Sequence, residues 1–105
     1  MTLQELRYLV ALAEYGHFGR AAEACHVTQP TLSTQLRKLE DSLGAVLFER
    51  THKTLNITPV GRKIVDQARK TLAGADAIVE LARETTAPLD GPLTLGVIPL
   101  PAPRR

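Results

Sequence analysis

Residues 28–39 read TQPTLSTQLRKL, and their side chains sort into two sets at helical spacing. Leu32, Leu36, Leu39 and then Leu43 recur at intervals of three and four, an apolar stripe for a core. With Leu32 at zero and roughly 100° per residue, the leucines lie within about 40° of zero, and Pro30, Ser33, Thr34 and Arg37 between roughly 100° and 200°. That outward face is short and polar near its start and gains reach only at Arg37. Side chains of this kind have a definite chemistry against base-pair edges. Gln bonds adenine through N6 and N7, Ser and Thr serve either base type, and an apolar edge such as Pro touches the thymine methyl. Gln29, Pro30, Ser33 and Thr34 supply that set. A major groove ~12 Å wide takes one helix, and short side chains let it approach. Thr28 as N-cap leaves helix N–H groups and a positive dipole end for phosphate. A merely solvated face is the competing reading of the same residues.

These residues need a scaffold, and the chain spells one out. Thr2 and Glu5 make a capping box, and Leu3, Leu6, Val10 and Ala13 follow at helical spacing with Leu9 beside them, which predicts a helix over 3–15 stopped by Gly16. A short second helix follows, with Phe18, Ala21, Ala22 and Cys25 on its stripe and Gly19 as its N-cap; its small residues let another helix come close. His26 and Val27 make a tight connection to the helix that Thr28 caps and Gly44 ends, the helix-turn-helix arrangement. Alternating Leu47, Glu49, Leu55 and Ile57 around the polar turn Thr51-His52-Lys53 predict a two-stranded wing over about 46–57. Thr58 and Pro59 then open a long helix to about 84, with Val60, Ile64, Ala68, Leu72, Ala75, Val79 and Ala82 along one seam. A helix of that length outruns its own domain, and its seam calls for a second chain. Beyond it, TTAPLDGP reads as a hinge and LTLGVIP as the first strand of a further domain. The fold class is therefore mainly α: a winged helix-turn-helix over 1–57, a linker and dimerisation helix over 58–84, and over 85–105 a hinge with the truncated start of a regulatory domain.

Composition bounds what such a scaffold does. In 105 residues with 44% apolar and only 4% aromatic side chains, a Leu/Val/Ile/Ala helical core fits better than a base-stacking platform. Net charge is +2, and residues 1–57 hold six Lys/Arg against six Asp/Glu, so an anionic partner must be recognised by where charges sit. The single Cys25 excludes an intrachain disulfide and a Cys-rich zinc site. No apolar run approaches membrane-spanning length and no secretory leader is visible, so a cytoplasmic location is expected.

Residues 3–62 resemble the DNA-binding domain of LysR-type transcriptional regulators. The resemblance is carried by Leu9-Val10, by HFGRAAEACHVTQPTLSTQLRKLEDSLGAVLFERT and by NITPVG. Within that family the segments YLVALAEYGHFGRAAEACHVTQPTLS, RKLEDSLG, VDQAR and GPLTLGVIP are most similar to the hydrogen-peroxide-sensing branch. The resemblance implies a recognition helix over Thr28–Leu43, with Gln29, Pro30, Ser33 and Thr34 facing bases. Thr28, Thr31, Gln35, Arg37 and Arg50 would hold phosphates or the groove edge, joined by Thr51 and Lys53 at the wing. It implies a homodimer through the linker helix, a tetramer in full-length members, a roughly palindromic duplex-DNA target with two half-sites, and control of oxidative-stress genes. No cofactor is implied, and the branch's redox cysteines belong to the sensing domain. The sequence departs from the family at the wing turn, THKT where many members have Gly, and at Gly19 where many have Ser or Thr.

Rival readings remain beside it. Cys25 is read as a buried inert thiol, His17 and His52 as too isolated for a metal site, and the aromatic residues Tyr8, Tyr15, Phe18 and Phe48 as core or dimer packing. A surface pair with Glu49 competes with the favoured phosphate role of Arg50, and pairing with Glu40 or Asp41 stands level with it for Arg37. A helix-turn-helix protein-interaction adaptor and a LysR-type regulator of another signal are the alternative functions. No carboxylate pair, phosphate-cradling glycine loop or nucleophile–base constellation points to an enzyme.

Overall fold

A computed structural model describes residues 1–51 and 54–86. Helix α1, Leu3–Tyr15, starts at the Thr2/Glu5 capping box and ends at Gly16, whose φ of 65° is the left-handed conformation glycine tolerates. Helix α2, Phe18–Ala24, is capped not by Gly19 but by His17, whose Nδ1 accepts from the Arg20 N–H at 3.2 Å. The turn after it places His26 at φ 60°, and the Val27 N–H closes back onto the Ala22 carbonyl at 3.0 Å. Helix α3, Gln29–Leu43, has Thr28 as N-cap and Gly44 as a left-handed C-cap, the boundaries expected. Leu32, Leu36 and Leu39 are buried, whereas Leu43 is 37% exposed and does not complete the core stripe.

Strands β1, Phe48–Arg50, and β2, Leu55–Ile57, pair antiparallel with Arg50 opposite Leu55. They form the wing, shorter than the 46–57 expected because Val46 and Leu47 lie outside the ladder. Leu47 instead points fully into the core, and its N–H donates to Glu40 Oε2 at 2.7 Å, with Phe48 N–H donating to the same oxygen at 3.3 Å. The carboxylate of α3 thus anchors the approach to the wing, and charge-assisted bonds of this kind are the stronger ones.

Helix α4, Pro59–Thr86, opens on Thr58. The Thr58 hydroxyl donates to the Val46 carbonyl at 2.7 Å and accepts from the Gly61 N–H at 2.9 Å, so one side chain caps α4 and fastens it to the segment entering β1. Met1–Ala73 form one compact unit, and a second begins at Gly74. In the first, Val65, Ala68 and Leu72 of α4 join the core built by α1, α2 and α3. The opening turns of α4 thus supply part of the core beyond residue 57, and Ala68 and Leu72 are only 3% and 9% exposed within it. Val60 remains exposed and Ile64 half-buried. In the second unit, α4 continues to Thr86, with Ala75 half-buried, Ala82 exposed, and Ile78, Val79 and Leu81 exposed at 68%, 49% and 61%. The strand expected in LTLGVIP lies outside the described residues.

Candidate nucleic-acid interface

The N-terminal half of α3 is shaped by its cap. Thr28 Oγ1 accepts from the Thr31 N–H at 3.3 Å and donates to Thr31 Oγ1 at 2.9 Å. Thr28's proton is thereby used, and the Thr31 hydroxyl keeps its own proton for an outside acceptor. Gln29, Pro30, Thr31 and Thr34 are exposed, and Ser33 and Gln35 are half-buried at the margin of the face. Pro30, Thr31, Thr34 and Gln35 line a shallow depression on it. Side chains this short let a helix sit against base edges, and Gln29, at the first position of α3, has the longest polar reach beside them.

The positive charge stands at the edges of that face. Arg37 is exposed and, among the described residues, has no salt-bridge partner. Glu40, one of the two carboxylates it was weighed against, is engaged by the Leu47 and Phe48 N–H groups. Arg50, the last residue of β1, is exposed, and its Cζ lies 4.4 Å from the centroid of the Phe18 ring. A second cleft joins the start of α2, the start of α3 and the wing; its lining includes His17, Phe18, Gln29, Arg50, Thr51 and Thr54. Thr51 and Thr54 close the mouth of the wing turn: Thr51 N–H donates to the Thr54 carbonyl at 2.9 Å, and their hydroxyls lie 2.7 Å apart. Lys53 lies outside the described residues.

The fold therefore brings Gln29, Arg50 and Thr51 to one cleft and Pro30, Thr31, Thr34 and Gln35 to one depression. Sequence reasoning missed two contributors. Phe18 was assigned to packing, yet it also carries the Arg50 cation. Glu40 was weighed as a surface ion-pair partner, yet it ties α3 to the wing. Both pairings join distant stretches of chain, and no local pattern announces either. Cys25, half-buried at the C-cap of α2, has its thiol pKa pushed up by burial, which disfavours the reactive thiolate. Among the described residues no group of three His, Cys, Asp or Glu could hold a metal, and no helix is long and apolar enough to cross a membrane.

Comparison with known proteins matches this geometry. The pattern of the family described as bacterial regulatory helix-turn-helix protein, lysR family, covers residues 3–62. The DNA-binding transcriptional dual regulator OxyR of Escherichia coli K12 is 50% identical over 103 residues, which are 98% of this chain and 34% of that protein. The chain thus spans about a third of the length of this relative. Full-length OxyR C199D from Pseudomonas aeruginosa superposes with a TM-score of 0.78 at 58% identity, over 80% of this chain and 28% of that one. The DNA-binding domain of BenM, solved as a complex with benA site 1 DNA, gives a TM-score of 0.78 at 36% identity, over 83% of this chain and 98% of that one. With its helix-turn-helix, wing and long fourth helix matched in sequence and in space, the chain belongs to the lysR family of bacterial regulatory helix-turn-helix proteins.

Proposed function

We propose that this chain is the sequence-specific, double-stranded DNA-binding part of an OxyR-like transcriptional regulator, acting as a homodimer in the cytoplasm on oxidative-stress genes. The observation that carries the reading is the exposed face of α3, where short polar side chains are flanked by Arg37 and by Arg50 at the foot of the wing. Gln29, Pro30, Ser33 and Thr34 meet base edges in a major groove, Ser33 from the margin of the face. Thr28, Thr31, Gln35, Arg37, Arg50, Thr51 and Lys53 serve phosphates, which fix register without reading sequence. A charge-balanced domain binds DNA this way because its cations stand around the reading face. Two copies joined through the exposed apolar residues of α4 present two reading helices to two half-sites, and half-site spacing and the bending of intervening DNA add to specificity. OxyR and the relatives named hydrogen peroxide-inducible genes activator support the oxidative-stress assignment.

Selection of binders from random duplex DNA, followed by titration of the winner at several salt concentrations, tests the reading. An enriched motif of two half-sites bound with a steep salt dependence is expected, because phosphate contacts release counterions. Weak binding without enrichment would replace this function with a protein-interaction role.

A further inference from the structure

Phe18 and Arg50 stand on different elements, and their contact bridges them. Phe18 is the first residue of α2, half-buried against the core cluster, so its ring is fixed from below. His17 pins the start of the same helix through the Arg20 N–H. Arg50 ends β1, is exposed, and places its Cζ 4.4 Å from the ring centroid, inside the ~6 Å within which an aromatic face attracts a cation. A ring differs from a carboxylate in what it leaves available. It adds no negative charge and no lone pair, so it holds the guanidinium without competing with a phosphate for its donors. An unsupported exposed arginine samples many rotamers, and every contact it makes must freeze them. The cleft between these two residues also holds Gln29, at the start of the reading helix.

We propose that Phe18 is a positioning residue for DNA binding: its ring pre-aims the Arg50 guanidinium at a backbone phosphate beside the N-terminus of α3. This rests on the reading of the face as a duplex-DNA interface. Phe18 touches no nucleotide in this role and acts through Arg50. It also couples the wing to the helix-turn-helix, so that the phosphate contact and the base-reading helix keep a fixed register.

The test titrates the duplex enriched from the random pool with the whole chain at several salt concentrations. The chains compared are the wild type, Phe18→Leu, Phe18→Tyr, Arg50→Ala and the double variant Phe18→Leu/Arg50→Ala. Phe18→Leu keeps apolar bulk and removes the π face; it is expected to weaken binding about fivefold and to lower the salt slope by about one. Phe18→Tyr restores both, and the double variant binds no worse than Arg50→Ala. In the free wild-type chain the Arg50 side-chain protons show an upfield ring-current shift, a readout that needs no variant to fold. Wild-type affinity and slope in Phe18→Leu, additive losses in the double variant, or unshifted Arg50 protons would each overturn the positioning role while the wild type still binds DNA. A wild type without salt-dependent binding would instead remove the DNA reading and this inference with it.

Discussion

Thr34 sits on the exposed depression of α3 that Pro30, Thr31 and Gln35 also line. Its hydroxyl can serve either base type, so at this position it discriminates weakly. Thr34→Arg would place a guanidinium where it can bond guanine O6 and N7 together, a pairing worth about 1–3 kcal/mol against the wrong base. The expected outcome is a changed motif, with a guanine enriched in each half-site when the random-pool selection is repeated. An equal change on every sequence would mean that the residue meets only phosphate. Cys25 makes a different kind of residue-scale claim. Burial favours its protonated thiol, so the folded-state pKa is raised and this contribution to stability is whole below the thiol's ordinary range and fades in alkali. Iodoacetamide should therefore alkylate the chain at pH 8 more slowly than it alkylates a free cysteine, and peroxide should leave DNA affinity unchanged. A peroxide-induced loss of affinity reversed by a thiol reductant would contradict the inert thiol.

Elements meet at Gly61. A Cβ there would overlap the Leu47 carbonyl oxygen and lie 3.0 Å from both the Leu47 carbonyl carbon and Thr58 Oγ1. That carbonyl cannot easily retreat, since it accepts from the Thr58 N–H at 3.0 Å. Gly61→Ala should lift the start of α4 from the segment entering the wing and cost about 1–3 kcal/mol, read as a lowered thermal midpoint. Gly74, also in α4, has open space where a Cβ would go. Gly74→Ala should be neutral or stabilise by about 0.5–1 kcal/mol through helix propensity. If both variants melted alike, the close approach at Gly61 would be wrong. The pair marks where sequence reading stops. Thr2-Glu5, Thr28 with Pro30, Gly44, and Thr58-Pro59 were legible because caps are local chemistry, and they gave α1, α3 and the start of α4 nearly to the residue. His17 was overlooked as the α2 cap because an imidazole acceptor is a less common device than Ser, Thr, Asp or Asn. Glu40 on Leu47, Phe18 under Arg50 and Leu47 over Gly61 are set by tertiary contacts between separate elements, which periodicity does not encode. The outward face of α3 was legible, since which side of the helix is apolar follows from spacing alone; its edges were not, for Ser33 is half-buried and Leu43 exposed.

At the scale of the whole molecule the question is which apolar residues of α4 belong to the fold and which to a partner. One seam drawn through Val60, Ile64, Ala68, Leu72, Ala75, Val79 and Ala82 pools two jobs. Leu72, 9% exposed, is core of the first unit; Val79, 49% exposed, is open in the second, with Ile78 and Leu81 more open still. Clustered exposed apolar side chains of this size mark an interaction surface more often than a solvated one. The two leucine-like positions should therefore fail differently when given a charge. Leu72→Asp buries a carboxylate among α1, α2 and α4 and should unfold the domain, because an unpaired charge in a core costs several kcal/mol. Val79→Asp should stay folded yet sediment as a monomer. Without a tethered second copy, binding of one half-site no longer raises the effective concentration at the other, so affinity for the two-half-site duplex should drop toward that for a single half-site. Sedimentation together with titration on both duplexes separates the cases. A folded Val79→Asp that stays dimeric and keeps its advantage on the double site would move the dimer contact off this stretch of α4.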